Sequence, residues 1–172
     1  MSSSKSHSPS ALTIVALGSN LGDSKTTLHQ AMGELQELSS APLMRSSFWR
    51  TSPVDCPPGS PPFINAVIAM VPLAGETPET LLRKLQELER RHGRVSKTVL
   101  NEARPLDLDL IVFGSETRNS AELVLPHPRA HLRRFVLQPL SEIAPDLILP
   151  EQGMTVTELL AGLPADEMVT RI

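Results

Sequence analysis

The feature that most constrains this chain is an apolar strand that carries two aspartates. Residues 106–113 read Leu-Asp-Leu-Asp-Leu-Ile-Val-Phe and lie between Pro105 and Gly114. A short, β-prone apolar run bounded by turn residues predicts a buried strand. Because strand side chains alternate between faces, Asp107 and Asp109 point the same way. The opposite face, directed towards a core, is expected to carry Leu106, Leu108, Leu110 and Val112.

The two carboxylates have either a solvated or a metal-binding role. Two residues along a strand span roughly 6.6 Å, so both carboxylates can converge on one cation or a close pair of cations. The alternative is a strand end or edge whose aspartates face water, as carboxylates usually do. The basic segment from Arg94 to Arg104, just before the strand, favours phosphate chemistry, in which metal ions and arginines neutralise phosphate oxygens.

Charge and aromatic content narrow the class of ligand. The 172-residue chain has a net charge of −3, 3% aromatic residues and no Tyr. A general nucleic-acid binder would be more basic, and a single-strand binder would offer more stacking surface. Most Lys and Arg residues lie between Arg83 and Arg134, which favours a local site for a small anion such as a nucleotide.

Cysteine content and hydropathy indicate the cellular compartment of the protein. Cys56 is the only cysteine, so an intrachain disulfide and a Cys-based zinc site are excluded. No apolar stretch approaches the ~20 residues of a membrane span, and the Ser-rich start lacks the apolar core of a signal peptide. We therefore expect residues 1–10 to be a disordered tail, residues 11–172 to form one domain, and the protein to be cytoplasmic.

Hydrophobic periodicity predicts the order strand, helix, strand, strand, helix, strand. The predicted strands cover residues 11–17, 43–51, 63–71 and 106–113, and the predicted helices cover 24–38 and 78–92. This order is typical of the α+β class with a ferredoxin-like βαββαβ antiparallel sheet and helices on one face. The remainder is expected to form a C-terminal helical appendage, with a helix over 129–143 broken by Pro139 and a short helix over 154–163.

Two features of the middle of the chain suggest a ligand. Residues 52–62 are rich in proline, which excludes a helix or a central strand, and a long loop in a compact domain is usually functional or disordered. Asn65 is the one polar residue of the third predicted strand. It is either a satisfied structural amide or a donor–acceptor pair aimed at a heterocycle that lies over the loop.

A series of motifs runs in order from Leu12 to about Leu149. The most diagnostic is Arg104-x-x-Asp107-Leu108-Asp109-Leu110. The others are Gly18-Ser19-Asn20, Ser47-Phe48-Trp49-Arg50-Thr51, Phe63-Ile64-Asn65-Ala66, Gln86-x-x-Glu89, Gly93-Arg94, Pro126-His127 and Arg133-x-Phe135. Each is weak alone, but in this order and spacing the chain resembles the 6-hydroxymethyl-7,8-dihydropterin pyrophosphokinase family of folate biosynthesis.

The resemblance implies transfer of a diphosphate group from ATP to the pterin hydroxymethyl oxygen, with release of AMP. It implies that Asp107 and Asp109 hold two Mg²⁺ ions and that Arg94 and Arg104 stabilise the transition state. The implied ATP site consists of Gln86, Glu89, Arg94, Arg104, Leu110, His127 and Arg133. The implied pterin site consists of Thr51, Ser52, Pro53, Val54, Phe63, Asn65 and Phe135, with the ring between the two phenylalanines. The implied partners are these two small molecules, without nucleic acid or membrane, and the implied state is a monomer.

Plainer alternatives stay open. Phe63 and Phe135 could be core residues, His127 a loop residue without a ligand, and Glu89 a solvated helix residue. The whole chain could be a nucleotide-binding module without catalysis, an RNA-binding ferredoxin-like domain, or another metal-dependent phosphotransferase. The segment 96–103 also departs from the family pattern, in which a basic residue often precedes Arg104.

Overall fold

The computed structural model describes residues 12–51, 58–93, 105–164 and 169–172, and an antiparallel sheet forms its centre. The strands are β1 (Thr13–Ser19), β2 (Met44–Arg45), β3 (Trp49–Thr51), β4 (Phe63–Met70), β5 (Asp107–Phe113), β6 (Arg118–Asn119), β7 (Val124–Leu125) and β8 (Val169–Arg171). The helices are α1 (Ser24–Gln36), α2 (Pro78–Arg91), α3 (Arg134–Ile143) and α4 (Val156–Ala161), with a 3₁₀ turn at Ala130–Leu132.

The strand order in the main sheet is β5-β1-β4-β3-β8, and β2 pairs with β4 beside β3. Every pairing is antiparallel, and β6 and β7 form a separate hairpin. The predicted mixture of helices with an antiparallel sheet is therefore confirmed. Strands β1 and β4 lie in the middle, so their neighbours on both sides fix where their side chains point.

The sheet separates two hydrophobic clusters. The first joins α1 and α2 to one sheet face, and its strand residues include Val15, Leu17, Ile68, Leu108 and Leu110. The second joins α3 and α4 to the other face, and its strand residues include Ile14, Val67, Ala69 and Ile111. The C-terminal segment is thus a second layer that covers the face on which the aspartates lie.

The predicted side of Val112 is wrong. Leu106, Leu108 and Leu110 lie in the first cluster as expected, but Val112 lies in the second. The pairing of β1 with β5 shifts by one residue between Ile14 and Val15, so Ile111 and Val112 face the same side. Such a bulge interrupts the two-residue alternation on which the sequence argument depends.

Capping residues set the helix starts. The Asp23 side chain accepts hydrogen bonds from Thr26 N and Thr26 Oγ1, which begins α1 directly after Gly22 at a φ of 77°. Thr77 and Thr80 form a reciprocal capping box, which begins α2 at Pro78. Among the described residues, no helix has the length and apolar character that crossing a membrane requires.

Two predicted elements differ in the structure. The strand predicted over 43–51 is split into β2 and β3, because Val67 N donates to Ser46 Oγ, so that a side chain occupies a position in the ladder. The helix predicted over 129–143 is a 3₁₀ turn followed by α3, and Pro139 lies inside α3 without ending it. The Pro139 ring is buried, and this burial offsets the one helix hydrogen bond that proline cannot make.

We expect the second cluster to contribute to stability as much as a conventional core. Leu137→Ala removes a fully buried side chain and should lower the free energy of unfolding by about 2–5 kcal/mol. The matched control is Leu132→Ala, whose side chain is 61% exposed and whose effect should stay within about 0.5 kcal/mol. Urea denaturation measures both, and equal effects would contradict the assignment of α3 to a packed layer.

Candidate active site

Four strands bring their polar residues to one end of the sheet. β1 and β3 end there, with Ser19 and Thr51, while β4 and β5 begin there, with Phe63 and Asp107. Antiparallel pairing places the end of one strand beside the start of the next. Residues far apart in sequence are therefore adjacent at this end, which also adjoins the C-terminal end of α2 through the contact of Glu89 with β5.

The strand register aligns a carboxylate, a glycine and an amide across the sheet. Asp107 is opposite Gly18, and Gly18 is opposite Asn65. Directly opposed residues project on the same face of an antiparallel sheet. With strands about 4.8 Å apart, Asp107 and Asn65 are separated by roughly 10 Å across Gly18. Asp109, opposite Ala16, extends the same face by two residues.

Gly18 permits this arrangement because it has no side chain. A Cβ atom at Gly18 would lie 3.2 Å from Asn65 Oδ1 and 3.6 Å from Phe63 Cδ1. Gly18 lies after the strand predicted over 11–17, whereas the structure places it inside β1. A glycine in a strand interior was the signal, since it often marks close approach of a neighbouring group or ligand.

Asn65 is held in one orientation. It is 5% exposed, and its Nδ2 donates to Thr51 Oγ1 at 2.9 Å. Asn65 Oδ1 therefore points towards the space above Gly18. A second amide ties the adjoining loop to the sheet, since Asn20 Nδ2 donates to Pro61 O at 3.3 Å. This contact joins residues 41 positions apart in the chain, so no local sequence pattern indicates it.

Two other segments of the chain form hydrogen bonds with the edge of β5 that does not pair with β1. Glu89 Oε2 accepts a hydrogen bond from Leu108 N at 2.7 Å, between the two aspartates. Further along the strand, His127 N donates to Ile111 O at 2.9 Å. Glu89 is therefore not merely a solvated helix residue, and it lies on the same strand edge as the segment of His127. Two of the predicted nucleotide contacts thus flank the predicted metal ligands.

Electrostatics connect His127 to the carboxylate and to an arginine. The pKa of His127 is lowered to about 4, mainly by burial and then by the positive charges of Arg133 and Arg129, while the negative charge of Asp107 opposes the shift. The ring is therefore neutral at pH 7. Its Nδ1 accepts a hydrogen bond from Arg129 N at 3.2 Å, so the proton of the neutral ring resides on Nε2. The neutral His127 ring can therefore donate a hydrogen bond from Nε2.

Arg133 also lies against the second predicted aromatic wall. Its Cζ atom is 5.3 Å from the centroid of the Phe135 ring, within the range of a cation–π contact. Phe135 is partly buried and packs against the second cluster, so it is at least in part a core residue. Phe63 is half-buried and reaches the space above Gly18.

The side chains around the aspartates suit a hard cation that takes only one or two of its ligands from the protein. Within the described ranges, no group of three or more His, Cys, Asp and Glu residues could hold a metal ion by itself. A closed zinc site would need such a group, whereas Mg²⁺ is typically held by one or two carboxylates together with substrate phosphates. Asp107 and Asp109, both half-buried on one face, fit the second arrangement.

Several predicted residues remain without a structural description. Arg94, Arg104, Ser52, Pro53, Val54 and the segment 96–103 lie outside the described residues. Their flanks are described: a Cβ atom at Gly93 would lie 3.8 Å from Pro105 Cγ, so the chain leaves α2 and re-enters before β5 at the same place. Gln86 is exposed on α2, and Leu110 is 4% exposed in the first cluster, so any ligand contact of Leu110 would come from its backbone.

A cavity of about 450 Å³ borders the site on the side of His127. It lies between the β6–β7 hairpin and the segment that follows α3, and its walls include Arg118, His131 and Glu151. Neither Asp107 nor Asp109 lines it. The cavity therefore adjoins the residues described above without containing the carboxylate pair.

Comparison with known proteins gives a consistent result. The family model described as 7,8-dihydro-6-hydroxymethylpterin-pyrophosphokinase (HPPK) matches residues 14–145. The chain is 37% identical over 156 residues to the 2-amino-4-hydroxy-6-hydroxymethyldihydropteridine pyrophosphokinase of Haemophilus influenzae, covering 90% of this chain and 94% of that protein. It is 37% identical over 150 residues to the enzyme of the same name from Pseudomonas aeruginosa, covering 87% and 90%.

Solved structures share the fold at lower identity. A crystal structure of Plasmodium falciparum HPPK-DHPS A437G with SDX-DHP superimposes with a TM-score of 0.69 and 13% identity. The match covers 87% of this chain and 45% of that chain, so this chain spans less than half the length of that protein. At this identity the likeness is evidence of the fold alone.

The shifted pKa of His127 predicts an acid-side loss of stability. The folded protein holds the ring neutral, whereas the unfolded chain takes up a proton as the pH falls below 6.5. The unfolded state then binds more protons, so stability should decrease between pH 6.5 and about 4. Urea titrations across this range should show a smaller decrease in His127→Gln. An NMR titration in which the His127 ring gains its proton near pH 6.5 would contradict the prediction.

Proposed function

This chain belongs to the 7,8-dihydro-6-hydroxymethylpterin-pyrophosphokinase family, and from that premise we propose how its residues carry out the reaction. It is an enzyme of folate biosynthesis that transfers a diphosphate group from ATP to the hydroxymethyl oxygen of 6-hydroxymethyl-7,8-dihydropterin and releases AMP. The observation that supports the assignment of roles is the row in which Asp107 and Asn65 flank Gly18 on one sheet face. One end of the row offers charge for phosphates, and the other offers an amide for a heterocycle.

Asp107 and Asp109 are the proposed ligands of two Mg²⁺ ions. When bound, Mg²⁺ supplies positive charge that neutralises phosphate oxygens of ATP. The chain's own contribution is to hold both carboxylates on one face of a paired strand. The hydrogen bond from Leu108 N to Glu89 fixes the backbone between them, so the directions of both carboxylates depend on α2.

Arg94 and Arg104 are the proposed phosphate clamps. Positioned guanidinium groups stabilise the charge that develops on a transferring phosphoryl group. Gly93 and Pro105, the described residues on either side of the segment that carries both arginines, are in contact range. Gly93 has a φ of 97°, which favours glycine at this position.

The rest of the nucleotide is proposed to lie along the open edge of β5. Glu89 and His127 already contact the backbone of this strand, and Gln86 is exposed one turn before Glu89. Neutral His127 can donate from Nε2 to an ATP oxygen, while Arg133 supplies a positive charge nearby. Leu110 would contribute through its backbone.

The pterin is proposed to lie over Gly18, between Phe63 and Phe135. Asn65 Nδ2 is engaged by Thr51, so Asn65 Oδ1 is directed to accept from N–H groups at the edge of the pterin ring. Aromatic stacking adds about 0.5–1.5 kcal/mol beyond burial, so hydrogen bonds must provide most of the specificity. The main chain from Thr51 to Val54 is the second proposed source of such bonds.

The finer architecture and the cellular setting belong to the same proposal. The order β5-β1-β4-β3, with α1 and α2 on one face, supports a ferredoxin-like βαββαβ core within a single pyrophosphokinase domain. Glu89 and the His127 segment bond to backbone groups at the outer edge of β5. These groups are therefore not free to pair with a second copy of the chain, which supports a monomer. A single cysteine is compatible with the reducing cytoplasm.

Nucleotide product analysis tests the proposed reaction. The protein is mixed with ATP, Mg²⁺ and 6-hydroxymethyl-7,8-dihydropterin, and AMP and ADP are followed with and without the pterin. We expect pterin-dependent AMP, with a diphosphorylated pterin that appears in step. Formation of ADP would move the attack to the γ-phosphorus, and nucleotide binding without turnover would favour a binding module.

The Asp pair has its own expected outcome in this assay. Asp107→Asn and Asp109→Asn keep the shape of each side chain but remove its charge, so AMP formation should fall by roughly a thousandfold or more. The matched control is Asp146→Asn, an exposed carboxylate remote from β5, which should retain normal turnover. Unchanged activity in either variant of the pair would refute the metal assignment.

Gly18→Ala should affect the pterin more than ATP. The added methyl group lies 3.2 Å from Asn65 Oδ1, so the amide must move away from the position proposed for the pterin edge. We expect the KM for the pterin to rise about tenfold, with a smaller change for ATP. Gly33→Ala in α1 is the control, because nothing lies within 4 Å of its added Cβ. An unaltered pterin KM in Gly18→Ala would argue against the proposed location.

A further inference from the structure

Strand β3 is short and needs support from outside the sheet. It has three residues, and it lies between the interruption at Ser46 and the Pro-rich stretch of sequence that begins at residue 52. Three-residue strands contribute few ladder hydrogen bonds. Yet β3 carries Thr51, which orients Asn65 and directly precedes in sequence the other residues proposed to bind the pterin.

A single carboxylate collects three hydrogen bonds from this part of the chain. Glu142 Oε1 accepts from Ser47 N and from Trp49 Nε1, both at 2.9 Å, and Glu142 Oε2 accepts from Ser47 Oγ at 2.8 Å. Burial raises the pKa of Glu142, but the bonds from Trp49 and Ser47, with Arg171 nearby, lower it overall. Glu142 is therefore ionised at neutral pH, which strengthens each of these hydrogen bonds.

The same carboxylate joins β3 to the last strand of the chain. Arg171 Nη1 lies 3.5 Å from Glu142 Oε2. Arg171 is opposite Trp49 in the pairing of β8 with β3, Val169 is opposite Thr51, and Ile172 N donates to Phe48 O at 3.0 Å. Without β8, β3 would be an edge strand with its outer backbone groups unpaired.

Helix α3 connects this contact to the opposite wall of the proposed pterin site. Phe135 and Glu142 are seven residues apart, which is close to two helical turns, so both lie on one face about 10 Å apart. The α3 residues between them include Leu137 and Leu140, which are fully buried in the second cluster. The helix thus presents Phe135 at one end and holds β3 through Glu142 at the other.

We propose that Glu142 and Arg171 are positioning residues for the pterin: together they set the separation between Phe135 on α3 and Thr51 on β3. Neither touches the proposed substrate. Their effect is transmitted through β3 to Thr51 and Asn65, on the pterin end of the Asp107–Gly18–Asn65 row. The nucleotide end of that row depends instead on Glu89 and the His127 segment, which bond to the backbone of β5.

The proposal predicts an effect on one substrate only. Glu142→Ala should raise the KM for the pterin on the order of tenfold, since hydrogen bonds to a charged group are lost. Arg171→Ala removes an ion pair whose arginine side chain is 64% exposed, and the pterin KM should rise about threefold. In both variants the KM for ATP should be unchanged and kcat should change little, and Arg171→Lys should recover most of the loss.

The single tryptophan reports on the contact independently of turnover. Trp49 is the only tryptophan in the chain, and its indole N–H is bound to Glu142. Its emission should therefore shift in Glu142→Ala and change less in Arg171→Ala. Lys84→Ala is the matched control, because it removes an ion pair with Glu76 that does not contact β3. It should alter neither the pterin KM nor the emission.

Each outcome of these measurements either supports or overturns the positioning role of Glu142 and Arg171. A selective rise in the pterin KM with recovery in Arg171→Lys supports the proposal. A pterin KM that stays at the wild-type value, or equal rises for both substrates, overturns it, since the second result is that of general destabilisation. If Glu142→Ala does not fold, Arg171→Ala and Arg171→Lys decide alone. The positioning role rests on the proposed function. If the wild-type protein forms no AMP, both are overturned. If the wild-type protein turns over normally and the variants keep the wild-type KM for the pterin, only the positioning role is overturned.

Discussion

The arrangement of the site depends on the position of β1 between β4 and β5. Pairing on both sides fixes Gly18 opposite Asn65 and Asp107 at the same time. A slip of one residue in either pairing would turn the whole strand face over and separate the amide from the carboxylate. The site is therefore a property of the sheet register, which the buried residues of β1 and β4 hold in place.

The two layers on the sheet have different tasks. Helices α1 and α2 bury one face, and α2 also supplies Glu89, which binds the backbone between the aspartates. Helices α3 and α4 bury the other face only in part, since Gly18, Asn65 and the Asp pair occupy its end. Incomplete cover on that face gives the ligands access, while the packed part of the same layer holds Phe135 and Glu142 in place.

Backbone groups at strand ends and edges are used for positioning and are not left to water. Leu108 N is bound by Glu89, Ile111 O by His127 N, and Ser47 N by Glu142. A buried or half-buried polar group without a partner costs free energy, so each of these bonds stabilises the fold. Each bond also fixes a segment that carries a proposed substrate contact. Stability and the geometry of the site are in this sense produced by the same hydrogen bonds.

The sequence alone determined the order of the elements up to β5 in outline, the helix caps and the placement of Asp107 and Asp109 on one face, whereas β6, β7 and β8 were not predicted. The features that it determined depend on local rules: periodicity of two or 3.6 residues, capping by Asp23 and Thr77, and alternation along a strand. Only the tertiary structure decided the bulge that moves Val112, the Ser46 contact that splits β2 from β3, and the row across Gly18. Each of those results from contacts between residues distant in the chain, and local periodicity does not determine which distant residues meet.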